Sequence, residues 1–185
     1  MPLRGVLMVL AALLSAALAA PALPSVDLGE PAPMFMLPAV NEDAAVRLTA
    51  RPQVELGDFV GVSPRLPAKA VVLYFFDRSR GGDGLGQLDR LHRQYSNKGV
   101  VLVGISSDQG ELGPLAAWVG KEKLQFPIVR DEFGVVRSRY GIPESSLPLT
   151  LILDGEGRLF AVGQPPAAEL DAAVAGELLP LVKGR

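Results

Sequence analysis

The sequence predicts an α/β fold: one domain on a central mixed sheet flanked by helices, with an N-terminal extension. Three observations predict it. Residues 70 to 76 (AVVLYFF), 100 to 106 (VVLVGIS) and 149 to 154 (LTLILD) are short apolar runs rich in β-branched and aromatic side chains, as strands buried on both faces are. One-sided helical patterns lie between them. The chain has 185 residues, 49% hydrophobic and 21% charged, which is enough for one well-packed domain and too little for two comfortable ones.

Taken in order, the chain opens with MPLRGVLMVLAALLSAALAAPAL. A single Arg precedes a mostly apolar run from Val6 to Ala20, and Ala17-Leu18-Ala19 suits the small-residue rule for signal peptidase. Residues 1 to 19 therefore read as a secretory signal cleaved after Ala19, which places the mature chain in a secreted or periplasmic compartment. The run falls short of the ~18 residues a membrane span needs, so no stable membrane insertion is expected. No Cys follows it to carry a lipid anchor.

Residues 20 to 44, rich in Pro and Ala, read as an extended lead-in to a domain over 45 to 185. AVRLTA (45 to 50) and QVELGDF (53 to 59), split by Arg51-Pro52, read as two short edge strands. After the strand at 70 to 76, Leu85, Leu88, Leu91 and Tyr95 recur every three to four residues and mark a helix that ends near Gly99. Leu115, Trp118 and Val119 mark a second helix, with Pro114 suited to its first turn. Residues 133 to 141 offer a third helix. Residues 167 to 179 offer a fourth, with Leu170, Val174 and Leu178 on one side. Strand, helix, strand, helix, strand is the order of a right-handed parallel crossover. DGEG (154 to 157) is a tight turn that joins the strand at 149 to 154 to RLFAVG as an antiparallel hairpin.

Several function classes lose ground at once. A net charge of -2 gives no electrostatic reason to expect a nucleic-acid partner. With one histidine, His92, and no cysteine, a zinc site would need an all-carboxylate remainder, so no metal is expected. His92 itself reads most simply as a helix residue. GISSDQG (104 to 110) lacks the second Gly of a nucleophile elbow. GGDGLGQ (81 to 87) opens a helix but does not match a phosphate-binding motif, so no cofactor is implied. DGEG is a hairpin turn and not a calcium loop, whose ligands alternate over about twelve positions.

The order βαβ followed by ββα is the thioredoxin arrangement, and here a family resemblance begins. APMFMLP, VELGDFVG, AVVLYFF, QYSNKGVVLVGISSD, LQFPIVRDEFGVVRSRYGI and LPLTLILDGEGRLF run in order from about Ala32 to Phe160. They resemble the redoxin superfamily: peroxiredoxins of the alkyl hydroperoxide reductase/thiol-specific antioxidant type and secreted thioredoxin-like thiol-disulfide oxidoreductases. The resemblance implies a thioredoxin-like fold and, by descent, an antioxidant oxidoreductase activity. It also implies a Cys-x-x-Cys pair, or one peroxidatic Cys, at the N-terminus of the helix after the first central strand. There helix N-H groups and the helix dipole favour the reactive thiolate.

This chain has no cysteine anywhere. Counting back from the helix end at Tyr95 to Gly99 puts the pair at Arg78 and Gly81; counting forward from the strand puts it near Gly81 and Gly84. No Ser, Thr or Asp replaces a thiol in disulfide exchange, because the mixed disulfide requires sulfur. Where peroxiredoxins carry a peroxide-binding Arg, this chain has Pro148. Leu147-Pro148 resembles the cis-proline of thioredoxin-like proteins, which shapes the substrate groove.

Three functions are therefore expected to compete. A thiol-free binding protein would hold a secreted or periplasmic protein or peptide in the groove by Leu147 and Pro148, with Asp77, Arg80 and Asp83 of the loop DRSRGGDG beside it. In that reading Arg78 and Arg80 would meet an acidic group of the partner. An oxidoreductase would need a thiol from another molecule. A purely structural domain would need no partner.

Overall fold

The computed structural model describes residues 26–183. The expected signal at 1 to 19 and the first residues of the lead-in lie outside them. From Val26 the chain is extended: Gly29 N-H donates to Leu159 O, Leu159 N-H donates back to Glu30 O, and Pro31 bridges Arg158 in antiparallel register. Strand β1 (Met36–Pro38) follows, then helix α1 (Glu42–Thr49) and strand β2 (Gln53–Glu55), which pairs antiparallel with β1.

Helix α1 corrects one expectation and β2 trims another. AVRLTA is not an edge strand. Glu42 and Asp43 supply the acidic first turn that suits a helix dipole, Ala44 and Ala45 are strong helix formers buried against the core, and Ala50 ends the helix in the left-handed conformation. The apparent alternation of Val46 and Leu48 is the outer part of an eight-residue helix read in isolation. Of QVELGDF only the first three residues are strand; Leu56–Asp58 make a 3-10 turn.

The central elements follow the sequence reading closely. Strand β3 (Ala70–Phe76), helix α2 (Leu85–Tyr95), strand β4 (Val100–Ser106) and helix α3 (Leu112–Glu122) form the crossover, with β3 and β4 parallel. Strand β5 (Ile128–Arg130), which no apolar run announced, then adds parallel to β4. The crossover from β4 thus lands on β5, and not on residues 149 to 154. At three residues, β5 is too short to show a periodicity, and Gly104 opposite it leaves the space that the Ile128 side chain fills. After helix α4 (Val135–Arg139) come strand β6 (Leu149–Asp154), strand β7 (Leu159–Gly163) and helix α5 (Leu170–Lys183). β6 pairs antiparallel with both β3 and β7, giving the mixed sheet order β5-β4-β3-β6-β7.

Strand β3 explains why the core has two layers. All seven of its residues are buried, and because side chains alternate across a strand they divide between the faces. Val71, Leu73 and Phe75 pack with Phe59, Ile105, Leu151 and Tyr140 on one face. Ala70, Val72, Tyr74 and Phe76 meet Leu85, Leu88 and Leu91 of α2 and Val174 and Leu178 of α5 on the other. Burying each large aliphatic side chain contributes about 1.5–3 kcal/mol. The apolar stripe of α2 is therefore what holds its N-terminus against the carboxyl end of β3. Among the described residues no helix is long and apolar enough to cross a membrane.

Candidate functional site

The site forms where β3 runs out. After Phe76 the chain turns through Asp77 to Arg80, passes Gly81 at a positive φ of 97°, and makes one 3-10 turn (Gly82–Gly84) into α2. Asp77 builds this turn. Its Oδ1 accepts the Ser79 backbone N-H at 2.9 Å, the Ser79 hydroxyl at 2.6 Å and the Arg80 backbone N-H at 2.8 Å, while its Oδ2 accepts Arg80 Nε at 2.7 Å. Burial by itself would raise the Asp77 pKa. The hydrogen bonds from Ser79 and Arg80 outweigh it and hold the carboxyl below the usual carboxylate range.

Two arginines tie this turn to its neighbours. Arg80 donates from Nη1 to Glu144 O at 2.6 Å and from Nη2 to Glu144 Oε1 at 2.7 Å, which clamps it to the segment before β6. Arg78 donates from its backbone N-H and its Nε to the two oxygens of Asp108, at 3.1 and 2.8 Å, and Asp108 is itself held by the Ser106 hydroxyl at 2.9 Å. Both guanidinium groups are thus engaged by carboxylates of the same chain. An open cleft of about 620 Å³ lies over these pairs, with Trp118 on one wall.

The Leu147-Pro148 peptide is cis, and Pro148 faces Gly81. A Cβ added at Gly81 would lie 2.5 Å from Tyr74 Oη and 2.6 Å from Pro148 Cβ; one at Gly84 would lie 2.8 Å from Tyr74 Oη and 2.9 Å from Leu170 Cδ2. Real Cβ atoms do not come so close, so neither position takes a side chain without rearrangement. Tyr74 fills the space instead. Its ring comes from the helix-facing side of β3, and its hydroxyl donates to Gly81 O at 2.9 Å. Burial, with Asp83 adding its negative charge, pushes the Tyr74 pKa well above its ordinary value, so it is a neutral donor.

Beside Gly81 and Pro148 runs a groove of about 490 Å³, bounded also by Ser79, Asp83, Gln164 and Pro165. Gln164 Nε2 donates to Pro148 O at 3.3 Å and to Ser146 O, which fastens the end of β7 to the cis-proline loop. Leu147 is buried beneath this loop and Pro148 is half-buried at its surface. Of the positions expected from sequence, the structure gathers Gly81, Asp83 and Pro148 around the groove, while Gly84 is buried behind it against Tyr74 and Leu170. Arg78 turns instead to Asp108, and Asp77 and Arg80 act as the frame.

Sequence reasoning missed Tyr74, Asp108, Glu144 and Gln164. Only Tyr74 carried a signal, as the one hydroxyl inside an otherwise apolar strand; the other three depend on which loops meet in space. Among the described residues no three His, Asp or Glu side chains converge as a metal site. His92 stacks obliquely on Phe126, ring centroids 6.1 Å apart, on the far part of α2.

Comparison with known proteins places this geometry in a lineage. The fold is similar to a protein assigned as the thiol:disulfide interchange protein DsbE from Chlorobium tepidum, with 22% identity, a TM-score of 0.66, and 85% of this chain and 99% of that one covered. It is similar to a protein assigned as a protein disulfide isomerase from Bacteroides thetaiotaomicron, with 18% identity, a TM-score of 0.69, and 89% and 96% covered. It is also similar to the peroxidoxin BcpB from Mycobacterium tuberculosis, with 18% identity, a TM-score of 0.63, and 86% and 99% covered. At these identities the likeness shows the thioredoxin-like fold. No curated protein matches the chain at a significant level. Residues 28–162, which take in the turn after β3, the cis-proline and all but the last residue of the sheet, match the AhpC/TSA family. The chain therefore belongs to the AhpC/TSA family, as a member that has no cysteine.

Proposed function

We propose that this protein is a secreted, redox-inactive member of its family that binds an extended peptide segment of a partner in the groove beside Pro148. The observation that carries the reading is the packing at Gly81. The position facing the cis-proline has neither a thiol nor room for one, because Tyr74 Oη and the Pro148 ring occupy the space. The groove itself stays open. Secretion rests on the N-terminal pattern through Ala19. The internal pairing of Arg78 and Arg80 turns the proposal away from recognition of an acidic group, since such a ligand would have to displace Asp108, Asp77 or Glu144. The exposed carboxylate of Asp83 is the charge the groove presents.

Oxidoreductase chemistry by descent would need sulfur from elsewhere, since the chain has no cysteine and the position facing Pro148 has no room for a side chain of its own. The test pairs two measurements on the purified protein. Disulfide reduction and hydroperoxide consumption, with a cysteine-containing redoxin as positive control, should stay at the blank. Extended peptides should shift the amide resonances of Gly81, Gly82 and Ser79. Turnover above the blank after removal of contaminating thiols would overturn the redox-inactive reading, and silent groove amides would overturn the peptide reading.

A further inference from the structure

A second cavity lies next to the groove, between the face of strands β6 and β7 and helix α5. Its volume is about 350 Å³, within the range of small-ligand sites. Ile152, Ala161, Val162 and Val174 give it apolar walls, and Gln164 and Pro165 line both it and the groove, so the two spaces adjoin. Two features make it more than a surface dent. Thr150 is 3% exposed, it lines the cavity, and its Oγ1 is buried with no hydrogen-bond partner among the described residues. Buried polar groups are nearly always paired, so an orphan hydroxyl in a cavity wall marks where an occupant's polar atom belongs. At the far end stands Glu177, which also borders a neighbouring hollow with Asp27. No basic residue lines either space among the described residues.

We propose that this cavity is the side-chain pocket for the peptide that the Pro148 groove binds. It takes one medium-sized apolar residue, whose backbone satisfies Thr150 Oγ1, and the peptide carries a lysine or arginine on the side away from the groove, toward Glu177 and Asp27. The inference rests on the groove reading and adds a recognition rule to it: apolar, then basic. Edge strands bind extended segments through their unpaired backbone groups while pockets select alternate side chains; β7 is the last strand of the sheet, with its Leu159 end taken by Gly29 and Glu30 and its Ala161 to Gly163 end beside the cavity.

The test uses three N-acetylated, C-amidated hexapeptides titrated into the ¹⁵N-labelled protein: Gly-Ser-Gly-Leu-Gly-Lys, its Leu-to-Ser counterpart and its Lys-to-Glu counterpart. The Leu/Lys peptide should shift Gly81 and Gly82 in the groove together with Thr150 and Gly163 at the cavity. It should bind about tenfold tighter than the Ser peptide and about threefold tighter than the Glu peptide at low salt. Ala173→Trp, at an exposed position in the cavity wall, should erase the Leu preference while leaving the Ser peptide's affinity unchanged, and Thr150→Val should weaken the Leu peptide with the fold intact. Equal affinities with shifts confined to the groove would overturn the pocket and leave the groove reading standing. Cavity shifts with a silent groove would overturn the groove reading and, with it, the cavity as that groove's side-chain pocket. No shifts at either place would overturn both.

Discussion

At Gly81 the packing of the fold leaves no room for a side chain facing Pro148. Placing sulfur there should not create redox activity: Gly81→Cys combines a positive φ of 97° with overlap against Tyr74 and Pro148. It should cost about 1–3 kcal/mol in urea unfolding and leave disulfide reduction at the blank. Adding Tyr74→Phe should recover part of the stability. Asp77 gives a second prediction. Its folded pKa lies below its unfolded value, so its stabilising contribution is present above the unfolded value near 3.9 and is lost as pH falls through the lower folded value. Acid unfolding followed by circular dichroism should therefore show a loss of stability below about pH 4 that Asp77→Asn flattens. If Asp77→Asn leaves the acid limb unchanged, the turn at 77 to 80 is not held by that carboxylate.

Helix α1 shows how an element can hide. Its acidic first turn fell inside the residues read as lead-in, so the remaining five residues offered only an apparent alternation. Thr49 Oγ1 donates back to Ala45 O at 3.0 Å, a contact that a strand would not have made. The end of the helix carries a prediction. Ala50 sits at a φ of 60°, where a Cβ is penalised and glycine is not, so Ala50→Gly should stabilise the protein by about 1 kcal/mol in thermal or urea unfolding. A destabilised Ala50→Gly would mean that the gain in unfolded-chain entropy outweighs relief of the left-handed conformation. The α2 pattern was legible for the opposite reason, since its four apolar residues span the whole helix; the helix ends at Tyr95, and a 3-10 turn over Ser96–Lys98 carries the chain to the left-handed Gly99.

On the scale of the molecule, the sheet separates two apolar layers that share only their strands. Phe75→Ala in one layer should cost about 3–5 kcal/mol, and Leu88→Ala in the other about 2–5 kcal/mol. Because the side chains project to opposite faces, the two losses should nearly add in urea unfolding of the double variant. Strong non-additivity would mean that β3 shifts as a rigid unit between the layers. Whole-molecule organisation also accounts for the site. The turn after β3, the segment before β6 and the loop after β4 come from distant parts of the chain, and Arg80 and Arg78 join them pairwise.

The sequence by itself determined the mixed α/β fold, the three long strands, the helices that separate them, and the absence of any thiol, because hydrophobic periodicity and composition are local quantities. It also offered Arg78, Gly81 and Gly84, with Pro148, as candidate positions. Only the tertiary structure decided that Gly81 is the position facing Pro148, that Tyr74 fills the place of a side chain there, and that the arginines are spent on Asp77, Asp108 and Glu144. Those outcomes depend on contacts between residues 64 positions apart in the chain and more, and no local pattern encodes which carboxylate a given guanidinium will meet. Packing at close quarters decided the rest: a fraction of an ångström between a hydroxyl, a proline ring and a missing Cβ separates an open site from a filled one.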